Sequence, residues 1–170
     1  VLYLMDGKTY RAVRKSSKNT AWEAVSVSGT AYVPTTTISA APTGGGTSYE
    51  AVNLLTPKRV NTFIGDGTAT QFKVDATDLD ETAVTAEVNG SAVTVSAVNR
   101  STGLVTLAAA PANGNGLANV SIAFAKTVSG HADKINKCRF AGLYGGKNDT
   151  RVFLSGNPDE PDCDWQSGLY

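Results

Sequence analysis

Val84-Thr85-Ala86-Glu87-Val88-Asn89-Gly90-Ser91-Ala92-Val93-Thr94-Val95 is the stretch that decides the fold. Apolar and polar residues alternate on both sides of Asn89-Gly90, and a period of two belongs to a strand with one buried and one wet face. Asn-Gly suits a two-residue type I′ turn, whose central residues both take positive φ. With that turn, Val88 pairs with Ser91, Ala86 with Val93 and Val84 with Val95. The apolar side chains then share one face, while Thr85, Glu87 and Thr94 share the other. An antiparallel sheet covered on one side needs that division.

The same habit extends in both directions. Thr62-Phe63-Ile64 precedes the turn Gly65-Asp66-Gly67, and Gln71-Phe72-Lys73-Val74 reads as a strand. Ser101-Thr102-Gly103 turns the chain into Leu104-Val105-Thr106-Leu107, and Val120, Ile122 and Phe124 alternate inward along another strand. Turn signals recur roughly every eight to twelve residues, the spacing of sandwiches and barrels. The fold class expected is all-β, an antiparallel β-sandwich over 59–127 with flanking hairpins that form a second small β unit.

The flanks carry strands of their own. Leu2-Tyr3-Leu4-Met5, Asp6-Gly7 and Thr9 to Arg14 read as a type I′ hairpin with Tyr10 and Ala12 on one face. Trp22 to Val27 alternates as a third strand. Residues 34 to 48, with Pro34, Pro42 and Gly44-Gly45-Gly46 among Thr and Ser, read as a loop or linker. Lys137 to Tyr144 and Thr150 to Ser155 read as two more strands. Three segments result: 1–58, a hairpin segment with a linker; 59–127, the sandwich; and 128–170, a β segment expected to pair with 1–33. No stretch sustains helical periodicity over a dozen residues.

Composition excludes several function classes. The chain of 170 residues carries 15 Lys and Arg against 15 Asp and Glu, interspersed, so no basic face marks a nucleic-acid binder. Neither a membrane-length apolar run nor a basic amphipathic stretch is present, so no membrane partner is expected. The start is not Met and lacks a signal peptide's basic leader. Both ends therefore read as cut or processed boundaries of a larger protein. Cys138 and Cys163 read as free thiols, because nothing marks the chain as secreted, although a disulfide between them is geometrically open.

Few residues invite chemistry. His131, the single histidine, lacks a Cys or carboxylate motif and reads as a surface residue. No GxSxG context raises a Ser-His-Asp arrangement. The acidic runs Asp159, Glu160, Asp162, Asp164 and Asp75, Asp78, Asp80, Glu81 lack calcium-loop spacing and read as solvated turns. Gly65-Asp66-Gly67 and Gly44-Gly45-Gly46 lack the GK[ST] ending of a phosphate loop. Trp22, Trp165 and the six tyrosines raise a sugar-stacking platform, but Trp22 reads as core, and Trp165 and Tyr170 as packed against residues outside this sequence. Asn99-Arg100-Ser101, Asn119-Val120-Ser121 and Asn148-Asp149-Thr150 match the glycosylation triplet, which matters only in a eukaryotic secreted protein. The expectation is no catalytic residue, no cofactor and no metal.

The order of motifs adds a resemblance. Phe63-Ile64-Gly65-Asp66-Gly67, Gln71-Phe72-Lys73-Val74, Val88-Asn89-Gly90, Thr102-Gly103-Leu104-Val105-Thr106-Leu107 and Ala110-Pro111-Ala112-Asn113-Gly114 resemble a small β-sandwich module of phage tail, fibre and appendage proteins. The match spans about seventy residues. Tyr32-Val33-Pro34-Thr35-Thr36-Thr37-Ile38, Pro42 to Thr47, Val52 to Pro57 and Arg151-Val152-Phe153-Leu154-Ser155-Gly156-Asn157-Pro158 resemble minor structural proteins, some of them stabilization proteins, of phages that infect Gram-positive bacteria. The resemblance implies a tail or neck component in a virion. It also implies other virion proteins and further copies of the chain as partners, and it transfers no functional residue. A carbohydrate-binding module of a phage or bacterial adhesin, with host surface glycan as partner, is the alternative.

Overall fold

The computed structural model describes residues 1–18, 20–29, 31–146 and 150–168. Its regular structure is almost all strand. The N-terminal part holds β1 (Leu2–Met5), β2 (Tyr10–Lys15) and β3 (Trp22–Val25). The middle holds β4 (Thr35–Ala40), β5 (Lys58–Phe63), β6 (Gln71–Lys73), β7 (Thr85–Val88), β8 (Ser91–Val93), β9 (Val95–Asn99), β10 (Leu104–Leu107) and β11 (Val120–Ala125). The C-terminal part holds α1 (His131–Asn136), β12 (Phe140–Tyr144), β13 (Arg151–Ser155) and β14 (Trp165–Gln166). These elements form two compact units, one of residues 1–32, 54–56 and 128–170, the other of 33–53 and 57–127.

The second unit contains a five-stranded sheet, β4-β5-β11-β7-β8, and a three-stranded sheet, β6-β10-β9. The Asn89-Gly90 hairpin forms as its sequence dictates: Ala86 faces Val93, Val88 faces Ser91, and the turn residues take φ of 49° and 75°. The expected Val84–Val95 pair does not form. The chain leaves the five-stranded sheet after β8, and Val95 faces Leu107 in the other sheet. The Ala108 amide bonds to the Thr94 carbonyl at 2.9 Å and holds this corner. Strands that change sheets make such corners, and an unbroken alternation through Thr94 gives no hint of one.

Both sheets of this unit bury side chains in one core. Phe63, Ala86, Val120 and Ile122 come from the larger sheet; Phe72, Val105 and Leu107 come from the smaller. Phe63 and Phe72 are fully buried and meet edge to face with centroids 5.4 Å apart. Each contributes roughly 1.5–3 kcal/mol by burial, and the ring pair adds about 0.5–1.5 kcal/mol. Val120, Ile122 and Phe124 all point inward as their alternation requires.

The reading of 34–48 as a linker is corrected. Thr35–Ala40 is an edge strand that runs parallel to β5, the one parallel pairing among the described strands, with two register irregularities. Its β-branched threonines favour extended backbone, and Pro34 and Pro42 flank the strand without interrupting it. The threonines also have buried partners. Asn61, 1% exposed, donates to the Thr36 hydroxyl at 2.8 Å and accepts from the Asp75 amide at 2.9 Å. The Asp75 carboxylate accepts from Thr36 and Thr37. The Lys73 amide bonds to the Pro42 carbonyl, so the segment after β4 is pinned as well.

The first unit holds two three-stranded sheets, β1-β2-β3 and β12-β13-β14. Residues 1–32 and 128–170 share this unit, but among the described strands no ladder joins them; the sheet pairing expected of 1–33 with 128–170 is replaced by side-chain packing. The short helix α1 explains the difference. Its Ile135, with Cys138 and Leu154, forms a small core that Met5, Tyr10, Leu54, Leu55, Val152 and Trp165 pack against. Its Asn136 side chain takes the Tyr10 amide at 3.0 Å. Burial, with a smaller contribution from nearby Tyr3, pushes the Tyr10 hydroxyl up to about 12. The first hairpin is not a two-residue turn either. Met5 faces Tyr10, only Gly7 takes positive φ, and the Asp6 carboxylate accepts the Lys8 and Thr9 amides. A side chain that mimics a backbone turn in this way lets the loop run to four residues.

Glycine requirements give a direct test. Gly103 and Gly90 both have positive φ, 71° and 75°; a Cβ on Gly103 would run into the Ala76 carbonyl oxygen, whereas one on Gly90 meets nothing. Gly90→Ala is expected to cost about 1–2 kcal/mol, the left-handed penalty alone. Gly103→Ala should exceed it by at least ~1 kcal/mol because backbone must also shift. Urea denaturation of both variants compares the two, and equal costs would contradict the close approach.

Candidate functional site

The residues that invite chemistry in the sequence are dispersed and occupied. His131 opens α1, half-buried. Lys134 and Lys137, which face the C-terminal acidic run, hold Glu160 at 2.7 Å and Asp159 at 2.5 Å. Asp75 serves β4, as described above. Asp80 accepts the Thr127 amide and hydroxyl, and Glu81 pairs with Arg100 at 3.0 Å. Arg100 also donates to the carbonyls of Asp80 and Thr82. Glu81 is 90% exposed, so that ion pair is worth at most about 1 kcal/mol. Among the described residues, no three His, Cys, Asp or Glu side chains gather as a metal site, and no helix is long and apolar enough to cross a membrane.

Other candidates resolve into loop chemistry. Asp66 accepts the Thr68 and Ala69 amides, repeating the Asp6 turn. These amides hold both carboxyls below the usual range. Asn119 accepts from the Gly65 amide and donates to the Ala112 carbonyl, clipping two loops together. Asn99 accepts from Ser101 and Thr102. Asn148 and Tyr170 lie outside the described residues. Cys138 is buried and Cys163 exposed, both as free thiols; burial first, and Asp164 second, push the Cys138 thiol up. Trp22 is corrected: it is 59% exposed at the start of β3 and belongs to no core. Trp165 packs against Leu154 and its neighbours inside this chain.

What stands out instead is β12. All five residues of Phe140-Ala141-Gly142-Leu143-Tyr144 are exposed, with Phe140 at 66%, Leu143 at 73% and Tyr144 at 77%. Among the described strands β12 is an edge, paired with β13 alone. Register places Phe140, Gly142 and Tyr144 on the face of Ser155, Phe153 and Arg151, with Gln166 opposite Phe153. The reverse face carries Leu154 and Trp165 into the small core. On the outer face, Tyr144 and Phe153 stand edge to face at 6.0 Å. With Gly145, Arg151 and Gln166 they line a shallow depression of about 200 Å³. Edge strands normally carry a charge, a proline or a bulge that blocks further pairing; β12 has neither charge nor proline. Its sequence shows no alternation, so nothing in it announces which face is covered.

Such a surface offers backbone hydrogen-bonding groups, apolar side chains and two aromatic walls. It suits association with another surface. Comparison with protein-family models, with curated proteins and with solved structures finds no match to the chain.

One electrostatic feature is measurable. The Thr127 amide, opposed by partial burial and aided by the Thr127 hydroxyl, Lys126 and Arg100, holds the Asp80 carboxyl below its ordinary 3.8. The folded state therefore binds fewer protons there than the unfolded chain, and the contribution is full above pH 3.8 and lost as pH falls through the lower folded value. Asp80→Asn is expected to weaken the protein at neutral pH and to flatten its stability as pH falls below 3.8. An unchanged acid slope would contradict the role of Thr127.

Proposed function

We propose that this chain is part of a non-enzymatic structural protein of a phage particle, located in the tail or neck of the virion after assembly in the bacterial cytoplasm. The observation that carries this reading is the uncharged, fully exposed edge strand β12. A chain that keeps such an edge has use for a partner strand, and virion proteins are built to be covered by neighbours. The order of the GDG, VNG and TG-LVTL motifs supports the same reading, as does the shared core of the two sheets in 33–127, which suits a tail-type β-sandwich. The partners are other virion proteins and further copies of the chain.

Antiserum raised against the chain should label gradient-purified phage particles at the tail or neck in electron micrographs. Recovery of the protein only from the soluble lysate, with none in purified particles, would contradict the assignment.

The alternative, recognition of host surface glycan, draws on the depression beside Tyr144. A pyranose presents an apolar C–H face to an aromatic ring, while Arg151 and Gln166 supply donors for its hydroxyls. On a glycan array, that reading expects hits that Tyr144→Ala weakens at least tenfold; an array without hits leaves the structural reading alone.

A further inference from the structure

We infer that β12 is a self-pairing edge: two copies of the chain join antiparallel along Phe140–Tyr144, about a two-fold axis at Gly142. The inference rests on the reading of the chain as an assembly component and names one of its partners.

The sequence of the strand is nearly symmetric about its centre. With Gly142 opposite its own copy, Phe140 faces Tyr144 of the second copy, and Ala141 faces Leu143. Each aromatic residue thus meets an aromatic, and the small residue meets the large one, twice over. Directly opposed side chains on one face are the unit of sheet stabilisation, and a two-fold contact needs a patch complementary to itself. Gly142 leaves open space above the axis, so the close approach of the two strands meets no side chain.

Charge permits this register. β12 contains no Asp, Glu, Lys, Arg or His. The nearest cation in sequence, Arg139, falls opposite Gly145 of the second copy. The two Arg139 residues then lie about 20 Å apart at ~3.3 Å per residue, beyond the ~8 Å screening length of physiological salt. β1, another uncharged border strand with large apolar side chains, is the weaker candidate: Leu2, Tyr3 and Leu4 are 49%, 39% and 45% exposed, well below the β12 side chains.

Area sets the strength. Aromatic side chains bury about 150–250 Å² each. With Phe140 and Tyr144 two-thirds or more exposed and Leu143 beside them, covering the strand removes roughly 400 Å² per copy, about half the ~800 Å² of a standard interface. The free chain should therefore dimerise weakly and reversibly. Repetition around a particle converts such a weak contact into a stable one.

Sedimentation velocity across a concentration series should show a monomer–dimer equilibrium. Leu143→Lys, at an exposed position where circular dichroism can confirm an unchanged fold, should raise the dimer Kd at least tenfold. Register is read by cross-linking in a Cys163→Ser background: an equimolar mixture of Phe140→Cys and Tyr144→Cys chains should form a disulfide dimer far faster than either alone. The inference is overturned by a chain that stays monomeric at millimolar concentration, by a dimer that Leu143→Lys leaves intact, or by cross-links running from Tyr144→Cys to Leu4→Cys on β1. A monomeric chain that is nevertheless found in purified particles would remove the self-pairing and leave the virion assignment standing. A β12 dimer absent from particles would do the reverse.

Discussion

The contact of Phe63 with Phe72 is where the two sheets of the larger unit meet, and the rest of that unit is arranged so that it can form. Phe63 ends β5 and Phe72 lies in the middle of β6, so the turn between them must reverse the chain within a few residues. Gly65, held by the Asn119 side chain, and Asp66, whose carboxylate gathers two amides, make that reversal. Beside the ring pair, Asn61 spans the same two elements by polar means, reaching Thr36 on the edge strand and the amide of Asp75 beyond β6. A buried amide left without partners costs about 1–3 kcal/mol. Once the rings are packed, Asn61 therefore admits few arrangements of β4.

The smaller unit lacks a comparable contact. Its core rests on three buried side chains, Ile135, Cys138 and Leu154, and on half-buried neighbours from both ends of the chain. One consequence is that β12 receives the hydrogen bonds of one neighbour and almost no cover on either face. Apolar exposure of this kind is uncommon on a self-contained domain, and it most often marks an interaction surface. The contrast between the packed core of the larger unit and the uncovered strand of the smaller one is the observation behind the proposed role in an assembly.

Most of the larger unit was legible in the sequence because its signals are local. Asn89-Gly90 set a turn and a register, and the alternation at Val120, Ile122 and Phe124 named the buried face. Other features escaped, chiefly where residues distant in sequence decide them. The departure of the chain at Thr94 depends on Leu107 and Ala108, which offer Val95 a better partner than Val84 does. The strand at Thr35–Ala40 depends on Asn61 and Asp75, without which a threonine run between prolines is a linker. Trp22 looked like core by residue type alone, yet it starts a border strand and is more than half exposed. As for function, no chemical motif was present to read. The exposure of Phe140, Leu143 and Tyr144 follows from pairing, because among the described strands β13 alone borders β12.

The two units differ in how completely each covers its own strands, and native-state hydrogen exchange measures that directly. In dilute solution of this chain, the amides of β5, β10 and β11 are predicted to exchange only through global unfolding. Those of β12 should be less protected by roughly a hundredfold or more through local opening. Protection in β12 equal to that in β11 would contradict the division and, with it, the reason for assigning this edge a partner.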